Sequence, residues 1–160
     1  MIPDDSGDRR SGLTLRSPAF DKGRPIPRKH GYTTDNVSPP LEISGVPADA
    51  ASVALVMDDP DAMKPAGKIW DHWVVWNIDP ETTDIAAGEV PAGATEGAND
   101  YGERGYGGPN PPDGEHTYRF VLYALDTTLD LGVGATKADL KKAISGHVLA
   151  ETQLTGTYAP

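Results

Sequence analysis

Fifteen prolines and eighteen glycines are scattered among short apolar runs, so few segments of this chain are long enough to complete three helical turns. That punctuation makes the fold mainly β. SVALVMDD (52–59) and HWVVWNID (72–79) are near-continuous apolar runs rich in Val and Trp, the pattern of strands covered on both faces. HTYRFVLYALD (116–126) reads as another central strand. LTLRSPAF (13–20) and PLEIS (40–44) are shorter, and Pro18, Pro39 and Pro40 put them at the periphery, because proline offers no N–H to an inner ladder. One stretch keeps a helical period. After Thr136, the apolar residues Leu140, Ala143, Ile144 and Val148 recur at three-and-four spacing, and Thr136 with Asp139 has the form of a capping box. These predict a helix over 137–150 and a final strand over 151–158.

A chain of 160 residues with 38% apolar side chains closes one core, expected over 12–160. Residues 1–11 carry no apolar pattern, and a flexible N-terminal segment is expected there. No apolar run reaches the ~20 residues that span a bilayer. The N-terminus has charges of both signs and no apolar core, so it does not read as a secretory signal, and a cytoplasmic location is the expectation. The absence of cysteine excludes disulfides, thiolate metal sites and sulfur nucleophiles. A net charge of -10 with no basic stripe disfavours nucleic acid and anionic membrane as broad partners. The acidic residues divide as 17 Asp and 7 Glu, a composition that suits high-salt adaptation as well as an ordinary acidic surface.

Chemistry concentrates in three places. Asp58-Asp59-Pro60-Asp61 follows an apolar run, so carboxylates are delivered where a strand leaves the core, although Asp-Pro-Asp is also ordinary turn chemistry. His72 and His116 each begin a strand, and alternation aims His116 and Tyr118 to one face and Thr117 to the other. Each histidine alone also fits a structural role. His30 and His147 read as surface residues. Tyr101 to Gly114 is too rich in Gly and Pro for regular structure, and its amides are suited to a concavity for a ligand oxygen; a tight loop without a ligand is the simpler alternative. No serine lies in a G-x-S-x-G elbow, and no H-x-H or H-x-x-x-H pair presets a metal site, so neither a triad nor a resident metal or other cofactor is expected.

Taken together, DDPDAM (58–63), WDHWVVWNI (70–78) and YGGPNPPDGEHTYRFVLYAL (106–125) resemble the phosphatidylethanolamine-binding protein family in its small bacterial and archaeal branch. SPAF (17–20), SPPLEISGVP (38–47) and the tail from TKADL to GTY (136–158) extend the resemblance over almost the whole chain. It implies a Greek-key β-sandwich of two antiparallel sheets and a small pocket for phosphate, acetate or phosphorylated head groups. Carried over by motif, the ligand-binding residues are Asp59, Asp61, Trp70, His72, Gly108 as a backbone donor, His116 and Tyr118. Three residues depart from the family pattern: Met63 stands for Pro, Asn110 for Cys and Thr117 for Arg.

The reading that follows is a non-enzymatic binding module for a phosphate-containing small ligand or phospho-residue. One alternative is an acid–base hydrolase run by the two histidines and carboxylates, since histidine titrates near neutrality. Another, implied by the resemblance, is inhibition of a kinase or protease, with that regulated protein as partner. A symmetric homodimer is expected only because such dimers are common. With two histidines as donors, anion affinity is expected to rise as pH falls through about 6.5.

Overall fold

The computed structural model describes residues 12–160; the expectation for residues 1–11 lies outside the described residues. Nine strands and two short α-helices occur among the described residues: β1 (Thr14–Arg16), β2 (Arg24–Pro25), β3 (Leu41–Ser44), β4 (Ser52–Asp59), α1 (Met63–Ala66), β5 (Trp70–Ile78), β6 (Asp84–Ile85), β7 (Thr95–Glu96), β8 (His116–Leu125), α2 (Lys137–Ile144) and β9 (Val148–Tyr158). They form a three-stranded sheet in the order β1-β3-β6 and a six-stranded sheet in the order β2-β9-β8-β4-β5-β7. The fold is mainly β, as the punctuation predicts. All pairings are antiparallel except the two-residue pairing of β2 with β9.

The large sheet is covered on both faces, which explains the unbroken apolar run of β4. Val53, Leu55 and Met57 join Leu15, Leu41, Ile43 and Phe120 in the core between the sheets. Ala54 and Val56 point the other way, against Leu129, Leu140 and Ile144 beneath α2. Every residue of β4 is buried, each large aliphatic one contributing roughly 1.5–3 kcal/mol relative to exposure. The same alternation separates the two carboxylates at its end. Asp58 turns under α2, where it accepts both Arg119 Nε (2.8 Å) and Nη2 (2.9 Å) and Lys137 Nζ (3.1 Å). Asp59 faces the opposite side.

The capping box forms as read, with Thr136 accepting from the Asp139 N–H and Asp139 from the Thr136 N–H. The helix is shorter than the period predicts. Ser145 leaves the helical region, Gly146 sits at φ 84°, and the chain returns at once as β9, so Val148 is a partly exposed strand residue paired with Leu125. A glycine just past a helix takes the left-handed turn that side chains resist. No helix among the described residues is long and apolar enough to cross a membrane.

Candidate functional site

At one end of the large sheet, a cavity of about 300 Å³ is lined by Asp59, Trp70, His72, Tyr101, His116 and Tyr118, with Ala62, Pro65, Ala66, Pro111 and Pro112 as its apolar wall and the Asn110 amide beside them. Two strand irregularities build it. Along β4 and β5, Met57 pairs with Trp73 and Asp58 with Asp71, leaving His72 as the extra residue of a bulge. Strict alternation would put His72 and Trp73 on opposite faces. The bulge instead turns His72 toward Tyr118, ring centroids 5.3 Å apart, while Asp71 turns toward Lys137. After Asp59, Pro60 starts a single 3₁₀ turn in which Asp59 Oδ1 accepts the Asp61 N–H at 2.9 Å. Ala62 is thereby buried and the short α1 forms the cavity's flank.

The polar groups divide sharply in protonation. His116 is almost fully buried, with Nδ1 2.6 Å from Asp59 Oδ2 and Nε2 2.6 Å from Asp113 Oδ1. Burial disfavours its charged form, but hydrogen bonds and charge from the two carboxylates outweigh it and raise its pKa above the ordinary 6.5. His72 goes the other way: burial lowers its pKa, only partly offset by its bond to Gly107 and by nearby Asp59 and Asp58. Its Nδ1 lies 2.6 Å from the Gly107 carbonyl, so Nδ1 carries the hydrogen and Nε2 is an acceptor when the ring is neutral. The Tyr118 hydroxyl is buried near Asp59 and the Asn110 backbone yet makes no hydrogen bond of good geometry. Burial, with Asp59 beside it, raises its pKa and keeps it a donor. Trp70, half-buried in the cavity lining, lies edge-on to Tyr101, which stacks on Tyr32 at 3.8 Å.

Five of the seven residues named from the sequence thus converge on one cavity: Asp59, Trp70, His72, His116 and Tyr118. Thr117 points outward, as alternation requires. The other two are placed differently. Asp61 is exposed, and its carboxylate accepts the Thr117 N–H at 2.8 Å, tying the Pro60 turn to β8. Gly108 donates its N–H to Asn36 Oδ1 at 2.8 Å, and Gly107 donates to the His72 carbonyl, so these amides stitch the loop rather than line the cavity. The surface reading of His30 is overturned: it is fully buried, with Nδ1 2.8 Å from the Val37 carbonyl, because the loop over 101–114 packs down on it. His147 is half-exposed beside Asp126. Sequence reasoning does not find Tyr101 or Asp113; Asp113 stands three residues before His116, a spacing that carries no signal across a loop.

The family model of the phosphatidylethanolamine-binding proteins matches residues 16–159. The chain belongs to that family. A UPF0098 protein of Methanothermobacter thermautotrophicus is 49% identical over 152 residues, which span 91% of this chain and 98% of that one. Among solved structures, the phosphatidylethanolamine-binding protein homologue CT736 of Chlamydia trachomatis superposes with a TM-score of 0.87 at 42% identity, covering 91% of this chain and 96% of its own. Escherichia coli YbcL, described as a member of the mammalian family, gives a TM-score of 0.85 at 30% identity, covering 91% and 97%.

Proposed function

We propose that this protein is a non-enzymatic binding module whose cavity takes a phosphate-like group carried on a small molecule, a head group or a phosphorylated residue. The observation that carries this reading is the buried Tyr118 hydroxyl, a donor without a well-formed bond, beside His72 and the Asp59–His116 pair in a cavity of about 300 Å³. An oxyanion satisfies that donor, and burial strengthens the bond. The donor set also selects a protonation state. Asp59 and neutral His72 are acceptors, so the ligand either brings a P–OH or binds with a proton taken up by His72.

Both routes have one sign. The lowered pKa of His72 leaves it neutral in the free protein near pH 7, and a bound anion raises that pKa. His116, with its raised pKa, keeps its proton to higher pH and loses it as pH rises through that value. Affinity is therefore expected to fall steadily from pH 6 to pH 8, with net proton uptake on binding. Calorimetric titration of inorganic phosphate in buffers of different ionisation enthalpy reads both. Affinity independent of pH, with no proton uptake, would sink the reading.

A further inference from the structure

His116 meets two carboxylates that differ in how firmly they are held. Asp59 is 4% exposed and is anchored by the Asp61 N–H as well as by the imidazole. Asp113 is 43% exposed and stands on a loop outside any strand or helix, although its bond to Nε2 is equally short at 2.6 Å. The same loop supplies Asn110, Pro111 and Pro112 to the cavity, so a shift of Asp113 is felt at the cavity rim. Gly114 follows at φ 150°, a backbone conformation that favours glycine, with nothing within 4 Å of where a Cβ would stand. The charges conflict with an incoming anion. Two carboxylates on one imidazolium leave the trio with net negative charge, and the Nε2–H that an oxyanion would use is already taken.

We propose that Asp113 is an internal competitor: a carboxylate latch that occupies His116 Nε2–H in the free protein and gives it up when an anion enters the cavity. The latch rests on the phosphate reading above and adds its regulation. Leaving costs Asp113 little, because its carboxylate is already half in water, where such pairs are weak. Asp59 stays, since it is buried and its other oxygen caps the Asp61 N–H. The free protein is then mostly latched, and the measured affinity is the intrinsic one reduced by the unlatched fraction. Selectivity follows as well, because a carboxylate ligand merely replaces Asp113, whereas a phosphoryl group brings additional oxygens for Tyr118 and His72.

The test uses the full chain as the parent, Asp113→Asn and Asp130→Asn, the last removing the same charge from an exposed position outside the cavity. NMR titration of the His116 ring without ligand should show its pKa lowered in Asp113→Asn alone. Inorganic phosphate should then bind Asp113→Asn about tenfold more tightly than the parent. Asp130→Asn should change affinity by less than about twofold, the scale of a screened distant charge. An unchanged His116 pKa in Asp113→Asn would refute the latch contact. A lowered pKa with unchanged affinity, or equal tightening in both variants, would refute the competition while leaving the phosphate site intact. Phosphate that moves neither the His72 nor the Tyr118 resonances in any of the three proteins would overturn the phosphate reading and the latch with it.

Discussion

Replacing Asp59 by alanine is expected to lower stability by about 3 kcal/mol at pH 6, the scale of stripping one partner from a buried ion pair. The variant leaves His116 buried without its Nδ1 acceptor and the Asp61 N–H without its cap. The cost depends on pH with a definite sign. His116 has a folded pKa above its unfolded value, so its protonation stabilises the fold fully below about 6.5, and that contribution is lost as pH rises through the folded value. The deficit of Asp59→Ala should therefore shrink between pH 6 and pH 9. Urea unfolding at the two pH values reads it from the midpoint, provided the slope is unchanged. A deficit under about 1 kcal/mol, or one equal at both pH values, would mean that Asp59 and His116 do not form the buried pair.

Gly108→Ala should be nearly as damaging, for a steric reason. A Cβ there would sit 2.1 Å from the His30 carbonyl oxygen and 2.9 Å from the Gly31 carbonyl carbon. Both are backbone atoms and cannot swing aside. The loop is stitched down at this point by Gly108 N–H to Asn36, Tyr101 O–H to the Gly108 carbonyl and Tyr32 N–H to the Pro109 carbonyl, each at 2.8–2.9 Å. Overpacking of this kind costs about 3 kcal/mol, and it also lifts the Asn110–Pro112 wall from the cavity. Gly134→Ala is the comparison, since a Cβ there would meet nothing within 4 Å and the backbone has an ordinary φ. Melting temperatures of the two variants should differ by several degrees. Equal melting would show that the loop does not press on His30.

Gly108 also shows where sequence reasoning reaches its limit. A glycine-rich loop is legible as a shaped loop, but whether its amides face a ligand or the protein depends on what lies beneath, here the His30–Asn36 segment, far away in sequence. The burial of His30 is hidden from sequence for the same reason. By contrast, β4 and β8 are legible to within a residue, because the six-stranded sheet is covered on both faces and its strands carry an apolar signature of their own. His72 lies between these cases. Its presence in the site follows from motif resemblance, but its direction comes from a bulge set by the register of β5 against β4, which no period in the chain encodes. The end of α2 is misread from the sequence, because Val148 continues the apolar period past Gly146, the glycine that marks the helix stop.

The phosphate reading turns on one hydroxyl. Tyr118→Phe removes a buried O–H that makes no well-formed bond within the protein, so the fold should lose nothing measurable. If that hydroxyl donates to an oxyanion in the cavity, calorimetry with inorganic phosphate should show affinity about 10- to 100-fold weaker than the parent, the scale of a hydrogen bond to a charged group. His147→Ala, half-exposed beside Asp126 and outside the cavity, should bind as the parent does. Unchanged phosphate affinity in a folded Tyr118→Phe protein would contradict the assignment of this cavity to a phosphate-like group.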